Sequence, residues 1–318
     1  MKKILAIILT ITILSSVFAM TSCTNESKET FTVGICQLTQ HAALDQATQG
    51  FIDTLKAEFG DDIEILNQNA NGDTNVCSTI VGDFVTKGVD LIMANATPAL
   101  QAAYNATETI PILGTSITEY GVALETKLQN GVVGGNVSGT SDLAPLDEQV
   151  DMILEFKPNV KTVGIIYCSA EANSKYQVEE VKRFLAAKGV TAKEYPFSDS
   201  NDISMVVTKA CSENEVLYVP TDNTAASCAE TIGNIVREYK IPLFAGEENT
   251  AKGCGVASLT ISYYDLGVKT GQMAIKILKG EANISTMSIE YAPATKKYNK
   301  DMCDFLGIEV PEGYEEIK

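Results

Sequence analysis

Thr32-Val33-Gly34-Ile35 and Thr162-Val163-Gly164-Ile165 read almost alike, and each opens the same succession of events. Leu91-Ile92-Met93-Ala94-Asn95-Ala96-Thr97-Pro98-Ala99 answers to Leu217-Tyr218-Val219-Pro220-Thr221-Asp222-Asn223-Thr224-Ala225. Ile110-Pro111-Ile112-Leu113-Gly114-Thr115-Ser116 answers to Ile241-Pro242-Leu243-Phe244-Ala245-Gly246-Glu247. The offsets are 130, 126 and 131 residues. Solenoid repeats recur every 20–50 residues or so, whereas this period is the size of a domain. One α/β unit is therefore built twice, and two similar lobes that face each other enclose a cleft.

Inside each half, short apolar runs alternate with helical patterns. Segments 31–36, 63–66 and 89–94 read as strands in the first half, and 162–167, 190–195 and 216–219 in the second. Leu44, Ala47, Phe51 and Leu55 lie on one helical face, as do Val178, Val181 and Leu185. Gly88 and Gly189 stand just past helices as C-caps, and Pro98 suits a first helical turn. Segment 225–239 reads as one helix. Strands without polar alternation are buried on both faces, which means parallel sheets covered by helices. The expected fold is α/β, with two parallel-sheet lobes joined side by side and a ligand cleft between them. The glycine-rich stretch 130–145 fits a segment crossing between the lobes. A helix over 265–278, with Leu266, Met273 and Ile277 inward, is expected to return to the first lobe. Several crossings would confine motion to a hinge.

The ends carry other information. Lys2 and Lys3, an apolar run from Ile4 to about Met20, and Thr21-Ser22-Cys23 have the layout of a secretory signal. Cysteine directly after small residues resembles a lipoprotein box, which makes Cys23 the expected lipid attachment. The boundaries read as 1–22 leader, 23–30 tether, 31–143 plus about 265–290 first lobe, and 144–264 plus about 291–318 second lobe. The chain has 24 basic and 41 acidic residues. Loss of the two leader lysines makes the net charge −19. Such acidity excludes a nucleic-acid binder, which needs a basic footprint. Seven cysteines follow Cys23 without metal-ligand spacing, beside a single histidine, so neither metal nor cofactor is expected.

Ligands of open parallel sheets collect at the carboxyl ends of the strands. The repeat pairs the loops found there: 38–44 with 168–175, 95–98 with 221–224, and 114–120 with 246–250. They hold Leu44, Thr97, Ser116, Ser169, Asn173, Asp222, Asn223 and Glu247, the candidate ligand-binding residues. Hydroxyls and helix N-termini hold a carboxylate. Asp222 and Glu247 are the candidates for an ammonium. Each single Asp, Asn, Ser or Thr before a helix also has the simpler reading of an N-cap. His41 and Cys168 lie in cleft loops too, but neither has an evident catalytic partner in sequence, so no catalytic residue is expected.

His41-Ala42-Ala43-Leu44-Asp45, Ala96-Thr97-Pro98-Ala99, Gly135-Asn136-Val137-Ser138-Gly139, Tyr218-Val219-Pro220-Thr221-Asp222-Asn223-Thr224 and Tyr264-Asp265-Leu266-Gly267 carry a resemblance. The chain resembles the solute-binding lipoproteins of bacterial ABC importers, in the subgroup associated with tryptophan and other aromatic amino acids. The resemblance runs over nearly everything after Thr30. It implies the type I periplasmic-binding-protein fold of two flavodoxin-like, doubly wound parallel-sheet lobes, closure of the lobes on an amino acid, an extracytoplasmic, lipid-anchored monomer, and docking on a membrane permease. It maps ligand contacts onto Thr97, Ser116, Ser169, Asn173, Asp222 and Glu247. The alternatives are a binding protein for a nucleoside or another small solute, and a cleft enzyme using His41 or Cys168.

Overall fold

The structure is a computed structural model, and it describes residues 30–318. The leader, Cys23 and all but the last residue of the tether lie outside the described residues. Residues 31–318 form one compact unit.

In the first lobe the chain lays down β1 (Phe31–Gln37), β2 (Ile63–Asn69), β3 (Leu91–Asn95), β4 (Ile112–Ile117) and β5 (Val137–Ser141). In the second come β6 (Thr162–Cys168), β7 (Thr191–Phe197), β8 (Val216–Val219), β9 (Leu243–Ala245) and β10 (Ala257–Thr260). The spatial orders are β5-β4-β3-β1-β2 and β10-β9-β8-β6-β7, the same arrangement twice. All these neighbours pair in parallel. This is the flavodoxin-like order, whose switch point lies between the first and third strands of each lobe. β3 and β8 are wholly buried, and β6 is buried from Val163 onward, as their apolar runs require.

The glycine-rich stretch expected to be a crossing holds β5, and only residues 142–145 lead from it into the next helix, Leu146–Phe156. Its Val-Ser-Gly-Thr-Ser sequence lacks an apolar run because the strand packs unusually close to its surroundings. Gly139 sits at φ 143°, and a Cβ there would lie 2.4 Å from the Tyr120 hydroxyl and 2.1 Å from the Gly114 carbonyl. Segment 225–239 is likewise two helices, Asn223–Ser227 and Ala229–Tyr239, broken at Cys228. Gly233 of the second is pressed against the Gly253 carbonyl, an approach that leaves no room for a Cβ.

After β10 the helix Tyr263–Leu278 lies on the first lobe, where Met273 and Ala274 share a core with Val33, Ile35 and Leu55. It meets the helix Ala42–Phe59 at backbone distance, since a Cβ on Gly267 would come within 2.0 Å of the Ala47 carbonyl. β11 (Glu290–Tyr291) then joins β5, and β12 (Thr295–Tyr298) joins β10 with β13 (Glu315–Glu316) outside it. The chain thus passes between the sheets after β5, after β10 and after β11, and three strands of backbone define the hinge.

Candidate functional site

The carboxyl ends of both sheets turn toward a common cleft. A hollow of about 260 Å³ lies there, walled by Leu38, Thr39 and Pro98 from one lobe and by Ala170, Glu171 and Asn223 from the other. The two lobes also meet directly, with His41 Nε2 3.4 Å from Asn223 Oδ1.

In the first lobe the loops 38–44 and 95–98 carry no carboxylate, Glu119 is used as the cap of the short helix Tyr120–Ala123, and the backbone is strained in two places. Ala96 precedes the helix Thr97–Ala106 at φ 86°, ψ 157°, a region that side-chain-bearing residues seldom occupy, and it supplies no side-chain cap. Thr97 is buried, and Pro98 has no N–H to satisfy. The helix therefore begins at the cleft with its positive end uncapped. Ser116 sits in a β-bulge between Gly114 and Ile117 at φ 56°, and its buried Oγ has no partner. Leu44 is buried, and its carbonyl accepts from Asn95 Nδ2 at 2.9 Å, which ties the helix start to the end of β3. Asn95 Oδ1 is also buried without a partner.

In the second lobe the same loops carry carboxylates, and each is engaged by its own lobe. Asp222 accepts from Ala225 N at 2.8 Å as the N-cap of Asn223–Ser227, and from Cys168 N at 2.6 Å and Ser174 Oγ at 2.8 Å. Glu247 caps Glu248–Cys254 by accepting from Asn249 N and Thr250 N. The two residues expected to face an ammonium are thus helix caps with their oxygens already bonded. Asn173 donates to Thr221 O and to Glu171 Oε2, both at 3.1 Å, and its Oδ1 is buried and unpartnered. Ser169 donates to Phe197 O at 3.0 Å.

The structure therefore brings Asn173, Asp222 and Asn223 into one network, with Glu171 as its centre. Glu171 receives Asn223 N and Nδ2 and Asn173 Nδ2 on one oxygen, and Thr224 N and Oγ1 on the other. Sequence reasoning missed it, although it stands in the cleft loop two residues before Asn173. It also missed Asp142 in the crossover, which accepts from Thr118 Oγ1 at 3.1 Å and Tyr263 Oη at 2.8 Å. A lone acid directly after the fifth strand is the signal that was available. Tyr120 is packed away with its hydroxyl on the Gly114 and Thr140 carbonyls, while Leu38 lines the hollow.

Asp142, Glu171, Asp222 and Glu247 are each no more than 5% exposed. None has a lysine or arginine partner among the described residues. Burial pushes Asp222 up to about 7, with Glu171 adding to the effect. Burial likewise pushes Asp142 up to about 6, against the lowering bonds from Tyr263 and Thr118, and nearby Glu247 raises it further. The site is a buried negative field without a protein cation. Burial and Asp222 hold the Cys168 thiol above its ordinary value, the reverse of an activated nucleophile. Among the described residues no group of side chains is placed to hold a metal ion.

The sequence pattern of the family described as "ABC transporter substrate binding protein" matches residues 32–314. A tyrosine-binding protein of Clostridioides difficile is 37% identical over 81% of this chain and 75% of its own. An ABC domain from Streptococcus pneumoniae, solved in complex with L-Trp, is 33% identical with a TM-score of 0.86, covering 91% of this chain and 99% of its own. An open, ligand-free substrate-binding protein with adhesive properties from Clostridium difficile is 36% identical with a TM-score of 0.69, over 91% and 100%. Identity and coverage are alike in the last two, while the score is higher against the structure solved with L-Trp.

Proposed function

The chain belongs to the ABC transporter substrate-binding proteins, extracytoplasmic components that deliver small molecules to a permease, and on that premise we propose that it captures an aromatic α-amino acid by lobe closure. The observation that carries the reading is a charge asymmetry across the cleft. One side offers an uncapped helix start and a free serine hydroxyl, which suit a carboxylate. The other side holds buried carboxylates with no cation, which a bound ammonium neutralises. A zwitterion fits both at once. The named relatives, one called tyrosine-binding and one crystallised with L-Trp, support an aromatic side chain. Cys23 would then carry the lipid that holds a monomeric receptor at the membrane.

Thermal shift and isothermal titration with L-tyrosine, L-tryptophan and L-phenylalanine test the reading, because a ligand that binds only the folded chain raises its melting point. All three are expected to bind. Tyrosinamide, without the carboxylate, and N-acetyl-tyrosine, without the ammonium, are expected to lose most of that affinity. Equal binding of either derivative refutes the zwitterion, and preference for a nucleoside or a sugar refutes the amino acid.

A further inference from the structure

We propose that His41 is itself a ligand-contacting residue, holding the second lobe through Nε2 while Nδ1 accepts a hydrogen bond from the ammonium of the bound amino acid. The inference rests on the amino-acid reading and adds to it the acceptors that the carboxylates do not supply.

His41 is the residue before the helix Ala42–Phe59, yet its side chain makes no cap bond to that helix. It reaches instead across the cleft to Asn223 Oδ1. The direction of that bond follows from Glu171. A carboxylate only accepts, so the Asn223 amide must turn its Nδ2 toward Glu171 Oε2, 2.7 Å away, and its oxygen toward His41. The amide oxygen also only accepts, so the proton in that bond belongs to His41 Nε2. In the neutral ring Nδ1 is then a bare lone pair. That atom is buried with no partner among the described residues.

Asn173 repeats the pattern. Its Nδ2 is given to the same Glu171 oxygen, and its Oδ1 is left buried and unpartnered. Glu171 thus orients two amides, and the network ends in two unused acceptors, one from each lobe. An ammonium brings three N–H donors. The buried carboxylates are already engaged by helix N-termini and hydroxyls, so they stabilise its charge through their field while neutral acceptors make its bonds. A cross-lobe latch that also touches the guest makes binding and closure one event, since both contacts exist only in the closed form.

The chain has one histidine, so a nitrogen-15 spectrum of the imidazole reads this residue alone. In the complex with L-phenylalanine, Nε2 is expected to be protonated, and Nδ1 unprotonated and shifted upfield from the position of a free imine nitrogen. A protonated Nδ1, or one that L-phenylalanine leaves unmoved, overturns the inference without any variant. His41→Gln keeps a donor near the place of Nε2 and leaves no acceptor at the place of Nδ1, because its amide oxygen sits one carbon further along the side chain. Isothermal titration of this variant should show L-phenylalanine and L-tyrosine weakened alike, tenfold or more. Unchanged affinity, or a loss confined to L-tyrosine, places the donor elsewhere and overturns it. Failure of the unaltered protein to bind either amino acid instead brings down the amino-acid reading, and this inference with it.

Discussion

Ala96 and Asp222 hold the same place in the two lobes, 126 residues apart, one step before a helix that starts at the cleft. In the second lobe that helix is closed by its own carboxylate, and Glu171 covers the next two backbone N–H groups. In the first lobe nothing caps it, and the backbone is held in a strained conformation to leave it so. The duplicated unit has kept its architecture and divided the charge. One copy presents an uncapped helix start, the other three buried carboxylates, with Asp142 at the crossover adding a fourth, and a molecule carrying both charges is complementary to the arrangement.

The comparison is broken most severely from the second lobe. Asp222→Ala removes an N-cap and strands the Cys168 N–H and Ser174 hydroxyl, a loss of about 2–4 kcal/mol in chemical unfolding. A loss under about 0.5 kcal/mol would mean that these bonds are not what holds the loop. Ala96→Asp makes the first lobe like the second by placing a carboxylate at the open helix start. Titration with L-tyrosine should then show affinity reduced roughly a hundredfold, about 3 kcal/mol. Unaltered affinity there would separate the helix start from the ligand.

The smallest effect concerns pH. Asp142 and Asp222 have folded values raised to about 6 and about 7, above an unfolded aspartate near ~3.9. The unfolded chain therefore releases these protons first as pH rises, and the folded state is penalised once pH exceeds about 4. Their cost is complete above the folded values, starts to fall as pH drops through about 7 and 6, and is gone near about 4. Melting of the ligand-free protein should accordingly be higher at about pH 5 than at about pH 8. Glu155, Glu194 and Glu315, held low by lysines (with Tyr314 or Tyr167 also bonding the first two), act in the opposite sense, but mostly below about pH 5. The Asp142→Asn/Asp222→Asn double variant should lose the rise. A rise that survives in it has another source.

Much of this was legible along the chain. The repeat located three pairs of cleft loops, with residues 44, 97, 116, 169, 173, 222, 223 and 247 in or beside them, but not the pair after the second strands, whose Asn71, Gly72, Ser198 and Asp199 also wall the hollow. What each does was not legible. Asp222 and Glu247 carry the chemistry of an ammonium partner and of a helix cap equally well, and only the bonded N–H groups identify the cap. Glu171 was passed over because its partners, Asn223 and Thr224, lie 52 and 53 residues away. β5 was read as a connection because hydroxyls replace apolar side chains there, and Thr140 meets Thr270 at 2.9 Å from 130 residues away.

From sequence alone came the duplication, the parallel lobes, the loops that line the gap and their stock of hydroxyls, amides and acids, since periodicity and element order are local and survive in one dimension. The fold decided which polar atoms are used up and which remain for a guest. That depends on partners as distant as His41 and Asn223, 182 residues apart, and a hydrogen bond exists only where the folded backbone brings its two atoms together.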